Sequence, residues 1–564
     1  MKKGYCFAIV VVSVVALIGL FGFNKADDRM FQIVRNLDIF NAVYKELDML
    51  YVDTIDPKKV IEAGIDAMLE ETDPYTEYYP EDDKTLKEMT TGKFGGIGAV
   101  IRYYAARKRV VVVEPSEGNP AAMAGIKAGD VIMEVNGEEM VQGEQNAQDF
   151  TTFVTSHLRG DPGTTCKIKV ERMGADSVYV PLEFQLTRGS IKTNPVPFHT
   201  LLHDSIGYIN MSTFAIENCS KEAKKALIEL KQKGAAKMIL DLRGNGGGLL
   251  NEAVNVVNLF VPKGQEIVRT KGKVKQMEMT YRTMSEPVDL NIPLVVLVNG
   301  ATASASEIVS GALQDLDRAV VVGTRTYGKG LVQTPRELPY NSSMKITTAK
   351  YYIPSGRCIQ AIDYSKKSVD GSVNRIPDSL TTVYHTAAGR EVRDGGGITP
   401  DETVDGKDAP NILFYLINGD EIFDYATSYC ARHASIDSPD KFALTDNDYA
   451  EFGKMLENRN FSYDRQSGSL LKRLKEMAEF EGYLDNASAE FEALEKKLQH
   501  NLDMELEKFK VEIKQALAEE IVKRYYYEKG SIEYLLRDDK DVEKAMVILS
   551  DPTEYARLLS VLPL

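Results

Sequence analysis

The sequence predicts a mixed α/β protein built of several units, on three observations. Apolar residues at helical spacing near the N-terminus give way at about residue 92 to short β-rich runs punctuated by glycine. Strands and helices then alternate from Val180 to Pro400, and beyond Asp401 the text turns helical and charged. At 564 residues the chain has room for about three or four units of roughly 150 residues each. Lys plus Arg is 68 against 83 for Asp plus Glu, so the chain carries a formal charge of −15 and is a poor partner for nucleic acid, whose phosphates it would repel. Its 43% hydrophobic and 27% charged residues are ordinary globular usage. The cysteines (Cys6, Cys166, Cys219, Cys358 and Cys430) form no CxxC and no close pair, which excludes a disulfide scaffold and a cysteine zinc ribbon. None of the six histidines belongs to an HExxH, so no metal site is read.

Residues 1–26 read as a signal anchor or a signal peptide. Lys2 and Lys3 precede an apolar run from Gly4 to Phe23, the length of roughly 20 residues that a membrane-crossing helix needs. The lysines favour an N-terminus held inside with the rest exported. A cleaved signal would have a shorter apolar region and a better small-x-small site than Asn24-Lys25-Ala26, so the anchor is the stronger reading. Either way the bulk of the chain is expected outside the cytoplasm, in the cell envelope, with residues 4–23 as the inner-membrane anchor.

Residues 27–91 read as a helical segment, with Pro57 in the first turn of a second helix and a turn at Thr72-Asp73-Pro74-Tyr75. In the unit over 92–173, Phe94-Gly95-Gly96-Ile97-Gly98 precedes the strand-like AVIRYY; its glycines let backbone N–H groups converge on a carboxylate. Taken alone, a plain glycine turn explains this pentapeptide better. The following Pro120–Ile132 stretch (PAAMAGIKAGDVI) and the hairpin-type Asn136-Gly137 add to it, and here the sequence resembles a PDZ domain of the kind built into bacterial proteases. That resemblance implies capture of an extended C-terminal peptide, with its carboxylate in the glycine loop.

Within residues 174–400, the apolar strand Pro293–Val298 stops at Asn299-Gly300 and is followed by ATASASE and an apolar helix. A serine at such an elbow stands clear of the sheet beside helix N–H groups able to hold an oxyanion. On local sequence alone, Ser304 and Glu307 fit a capping box better. A nucleophile needs a base, and Lys329, between Gly328 and Gly330, could act as one if burial lowered its pKa. Gln333 would offer a neutral amide to orient it, and a solvated surface lysine is the plainer alternative. Gly323–Lys329 also fits G-x-x-x-x-G-K, but Gly330 stands where a phosphate loop needs Ser or Thr, so the nucleotide reading is rejected.

Taken together, VNGATASASEI, VGTRTYGKGLVQ, ITTAKYYIPSGRCIQ and GGGITPD resemble the C-terminal processing peptidases, also called tail-specific proteases, over about residues 30–400. The resemblance implies a crotonase/Clp-protease-like α/β core with an inserted PDZ domain and an N-terminal helical segment, to which the helical, charged text beyond Asp401 adds a helical C-terminal extension. It implies a serine endopeptidase with Ser304 as nucleophile, Lys329 as general base and Gln333 as its orienting partner, needing neither metal nor cofactor. It also makes Gly247, in Asp241-Leu242-Arg243-Gly244-Asn245-Gly246-Gly247-Gly248, and Ala305 the oxyanion donors, with Gly246 and Gly248 as close rivals of Gly247. Asp241 and Arg243 are expected to brace loops. His385 is the one histidine near a motif, and a Ser/His pair built on it is the weaker reading. The expected partners are proteins with exposed C-terminal tails. A silent PDZ scaffold and an acyl-CoA enzyme on the same core are the rivals, and neither needs the Ser/Lys/Gln trio. Residues 401–564 carry an amphipathic pattern that predicts a long helix over 484–527, used either for a homodimer or for folding back on the core.

Overall fold

The computed structural model describes residues 24–81, 94–191, 193–203, 205–367, 373–404, 409–463, 466–498 and 501–560. The apolar run at 4–23 lies outside them, and no helix among the described residues is long and apolar enough to cross a membrane. Helix α1 (Asn24–Leu50) is followed by α2 (Pro57–Glu70), where Asp56 accepts the Lys58 N–H at 3.0 Å and Pro57 opens the first turn. The Asp73 carboxylate accepts the N–H groups of Tyr75 and Thr76, both at 2.9 Å. This turn carries the chain into the short strand β1 (Glu77–Tyr79).

The glycine-rich unit contains β2 (Phe94–Gly96), β3 (Ala99–Tyr104), β4 (Arg109–Pro115), α3 (Pro120–Ala124), β5 (Val131–Val135), α4 (Ala147–Leu158), β6 (Thr165–Met173), β7 (Tyr179–Thr187) and β8 (Gly189–Ile191). Its antiparallel sheet runs β3-β4-β5-β6-β7, which leaves β3 at an edge, while β2 pairs with β8. Asn136 and Gly137 both take positive φ (52° and 89°), the hairpin turn their identities predict. Phe150, Val154 and Leu158 of α4 are buried in this unit's own core with Val110, Val112 and Ile132.

The central unit contains β9 (Phe198–Leu202), β10 (Ile206–Asn210), α5 (Cys219–Gln232), β11 (Lys237–Asp241), α6 (Leu250–Val257), β12 (Glu266–Gly272), β13 (Met279–Arg282), β14 (Leu294–Val298), α7 (Ala305–Asp315), β15 (Val320–Gly323), β16 (Leu331–Glu337), β17 (Ser343–Tyr352) and β18 (Glu402–Thr403). The main sheet has the order β9-β10-β11-β14-β15-β18, all parallel except β9. Runs such as LVVLV in β14 have no polar face, so they are stable only with both faces covered. Helices α5, α6 and α7 cover one face, and every residue of α7 is buried. A second sheet, β1-β17-β12-β13 with β16 also on β17, joins the N-terminal segment to this unit.

The C-terminal extension contains α8 (Asn411–Asn418), α9 (Glu421–Arg432), α10 (Asp446–Asn458), α11 (Gln466–Phe480), α12 (Leu484–Lys497), α13 (Leu502–Lys508), α14 (Lys510–Leu535), α15 (Lys540–Ser550) and α16 (Pro552–Leu558). The single long helix expected over 484–527 is instead α12, α13 and most of α14; Asn501 caps the start of α13 by accepting the Met504 N–H at 2.9 Å. Within α14 the helix breaks at Tyr527 (φ 58°, ψ −166°), a strain of about 1–3 kcal/mol for a non-glycine residue. The extension folds back on its own chain. Val542, Ala545, Ile548 and Leu549 of α15 cover the second face of the main sheet, against Ile239, Val295, Leu297, Val320 and Val322. Phe423 of α9 packs on Tyr104, Val111 and Val131 of the glycine-rich unit, with Asp424 accepting the Tyr104 hydroxyl at 2.8 Å.

Candidate active site

Three loops leave the carboxyl ends of neighbouring parallel strands and meet: residues 242–249 after β11, 299–304 after β14 and 324–330 after β15. In open α/β sheets this is the end where ligands bind. Ser304 sits at the turn into α7 with φ 57° and ψ −116°, a strained conformation for a non-glycine residue that sets it at a sharp elbow. The Ala305 N–H, in the first turn of α7, makes no hydrogen bond among the described residues.

Gly247 is held against this elbow. With φ 95° and no Cβ, it approaches where a side chain could not: a Cβ there would lie 2.7 Å from Ala303 O and 2.8 Å from both Ala305 N and Ser304 Cβ. Its N–H donates to Asn245 Oδ1 at 2.9 Å, so the amide chosen from the sequence for the oxyanion is engaged inside its own loop. Asn245 stitches the two loops together, its carbonyl accepting Ala303 N–H at 3.0 Å and the Ser306 hydroxyl at 2.9 Å. Asp241 and Arg243 brace the loop as expected. Arg243 is bonded to Asp241 (2.6 Å) and also to Asp539 (2.6 Å) and Asp541 (2.8 Å) at the start of α15. Burial disfavours its charge, but the Asp241 and Asp539 carboxylates outweigh that and hold the guanidinium firmly protonated.

Glu307 is the residue sequence reasoning undervalued. Its Oε2 accepts both the Ser304 N–H (2.8 Å) and the Lys329 N–H (2.9 Å), and its Oε1 accepts the Thr326 hydroxyl (2.5 Å) and the Gly328 N–H (2.8 Å). One fully buried carboxylate thus ties the serine elbow to the lysine loop. Burial pushes its carboxyl up to about 7 against the pull of these four donors. The S-x-x-E pattern showed the bond to Ser304; nothing local showed the bonds to 326–329.

Lys329 is half-buried. Burial first, and then the Lys345 ammonium, hold its amine below the ordinary lysine range, while Glu77, Asp73 and Glu307 oppose them. Its Nζ lies 4.1 Å from the centre of the Tyr75 ring, and its carbonyl accepts the Tyr351 hydroxyl, which also donates to Ser304 O at 3.1 Å. A ring face favours an ammonium by about 0.5–2 kcal/mol, so Tyr75 pulls against the desolvation. Tyr75 also bonds Tyr364 through its hydroxyl (3.1 Å), and the sequence had shown it only as part of a turn. Gln333, on β16, donates its amide to Thr347 Oγ1 at 3.1 Å and makes no hydrogen bond to Lys329 among the described residues. His385 lies exposed in a two-stranded hairpin, paired with Glu391.

In the glycine-rich unit, Gly95 and Gly98 are places where backbone passes too close for a side chain. A Cβ would lie 2.1 Å from Gly160 O at the first and 2.4 Å from Asn119 Cβ at the second, where φ is 71°. Gly96 and Ile97 between them are buried and, with Gly98, line a cavity of about 480 Å³ beside the free edge of β3. Phe94 pairs through its backbone with Ile191.

Three family models match this chain: "Peptidase family S41" over residues 205–366, "PDZ domain" over 95–179, and "Probable PDZ-protease, C-terminal helical domain" over 412–549. A carboxy-terminal-processing protease of Bartonella bacilliformis is 36% identical over 346 residues, which cover 60% of this chain and 75% of that protein. The chain belongs to this family of serine peptidases. A probable CtpA-like serine protease of Staphylococcus aureus is 34% identical over 394 residues, covering 67% of this chain and 74% of that one. A solved photosystem II D1 C-terminal processing protease is 29% identical and covers 67% of this chain and 95% of its own, with a TM-score of 0.35. The S41 peptidase therefore combines a peptidase domain, a PDZ domain and a helical C-terminal domain. Its peptidase match contains the Ser304 elbow, the Lys329 loop and the Gly247 loop.

Proposed function

We propose that this peptidase cuts proteins that present an extended C-terminal tail, using Ser304 as nucleophile and neutral Lys329 as general base. The observation that carries this reading is the shared Glu307 oxygen, which sets the Ser304 and Lys329 backbones side by side while burial disfavours the lysine's charge. Lys329 Nζ takes the Ser304 hydroxyl proton as Oγ bonds to the scissile carbonyl carbon. The oxyanion is received by the Ala305 N–H and by the Gly247 N–H, which must exchange Asn245 Oδ1 for it. The ammonium of Lys329 then protonates the leaving amine, and the neutral amine activates water against the acyl-enzyme. Gln333 orients Lys329 in this scheme only after leaving Thr347. The tail adds to the edge of β3, with its carboxylate at Phe94–Gly98. Residues 4–23 would hold the enzyme in the cell envelope, facing the periplasm or exterior.

A tail with a free carboxylate tests the substrate reading. The full chain should cleave a synthetic substrate with an apolar C-terminus at least about tenfold faster than its C-terminally amidated twin, the loss expected for a charge-assisted hydrogen bond. Equal rates, followed by mass spectrometry, would remove the carboxylate loop from the account.

Glu307→Gln tests the shared oxygen. An amide accepts with one atom only, so its NH2 would face two of the four N–H and O–H donors, each mismatch costing about 1–3 kcal/mol. Displacing Ser304 from Lys329 by ~1 Å would lower kcat by about 10²-fold. Because the folded carboxyl lies above its ordinary 4.5, its stabilising share is complete below pH 4.5 and lost as pH rises through about 7. The fold thus ionises Glu307 at a cost, which fits a role in the site better than one in stability. A Glu307→Gln enzyme with the parent's kcat would refute it.

A further inference from the structure

The cavity beside β3 is not enclosed by the PDZ domain alone. Gly96 and Ile97 line one side and Leu158 of α4 another, while Tyr527, Glu528 and Lys529 of the C-terminal helical domain enter as a further wall. Tyr527 is the break in α14, with φ 58° and ψ −166°, and Glu528 and Lys529 follow it. A helix can reverse here without strain if glycine occupies the bend, but the glycine stands at 530, packed so that a Cβ would lie 2.2 Å from Tyr526 Cβ. A tyrosine therefore bears the strained conformation at a turn that lines the cavity. Both flanks pin it there. Lys523 is paired with Glu114 of β4 at 2.8 Å, and the Ser531 hydroxyl reaches back across the break to Glu519 at 2.8 Å. Strain held by its surroundings at a cavity wall points to a binding role.

We infer that the Tyr527 turn is part of the tail-binding groove, so that an extended C-terminal peptide is gripped between β3 of the PDZ domain and the helical domain. This rests on the tail-binding reading above. The peptide backbone adds to the edge of β3, which among the described residues pairs only with β4, and the Tyr527 ring meets the apolar side chains of its last residues. The helical domain thereby becomes a determinant of which tails are accepted.

The test uses the full chain carrying Ser304→Ala, so that nothing is cut, and a fluorescent peptide with apolar last residues and a free carboxylate. Tyr527→Gly removes the ring and suits the existing backbone, so its melting temperature should match or exceed the parent's while the peptide binds about tenfold more weakly. Tyr527→Phe should bind as the parent does. Unchanged affinity in Tyr527→Gly overturns the inference, and tighter binding overturns it too, because the turn would then be a plug. A lower melting temperature with unchanged affinity assigns Tyr527 a purely structural role. If the parent itself does not bind the peptide, tail capture and this inference fall together, whereas binding by the parent and by Tyr527→Gly alike leaves tail capture standing.

Discussion

Ser304→Ala is expected to reduce peptide-bond cleavage by about 10⁴-fold or more, because the bond-forming oxygen is lost and only binding and oxyanion contacts remain. The substitution should leave the fold intact. The Ser304 contacts that organise the elbow are made by its backbone: its N–H to Glu307, and its carbonyl to the Tyr351 hydroxyl and the Glu307 and Ile308 N–H groups. Alanine keeps all of these. Its φ of 57° is strained for alanine and serine alike, so the backbone strain cancels in the comparison. Mass spectrometry of a tailed substrate with both enzymes, at matched melting temperature, reads the effect. Cleavage by Ser304→Ala at the parent's rate would assign the nucleophile elsewhere.

Much of this site is legible in the sequence, because its parts are local. An apolar five-residue run with no polar face fits a buried strand, and its stop at Asn-Gly before small residues and a helix fits a sharp turn between the two, although the same residues fit a helix cap as well. The Asn136-Gly137 hairpin and the Pro57 helix start are equally local. What stays hidden depends on residues distant in the chain. Glu307 reads as a cap, and its bonds to Thr326, Gly328 and Lys329 span 19, 21 and 22 residues. Tyr75 reads as a turn, since the cation beneath its ring lies far along the chain. Gly247 reads as an amide donor, and its bond to Asn245 Oδ1 depends on a side-chain orientation that no spacing encodes.

The C-terminal extension shows the same limit in another form. Its amphipathic pattern says that one face of each helix is buried, without saying against what. The main sheet needs a second cover, and α15 provides it. The break at Tyr527 is hidden for the opposite reason: YYYEKG has no proline, and its glycine stands three residues past the bend.

The central claim is that Lys329 acts as a neutral base and not as a fixed cation, and Lys329→Arg separates the two. Arginine keeps a positive charge in the same loop, but it cannot give up its proton in the working pH range. Lys329 is held below its ordinary 10.5 by burial and Lys345, so the parent's rate should climb as pH rises and the ammonium loses its proton, beyond any rise that ionisation of Glu307 at about 7 would add. The same sign governs stability. A depressed lysine contributes fully above 10.5 and loses that contribution as pH falls through its folded value, while the Tyr75 ring contact is one an arginine can keep. The measurement is kcat/KM for a tailed substrate across pH with the parent and Lys329→Arg. The account predicts a rising profile for the parent and a rate at least about 10³-fold lower for Lys329→Arg at every pH. Cleavage by Lys329→Arg at the parent's rate, or a parent profile that is flat above the Glu307 value of about 7, would contradict it.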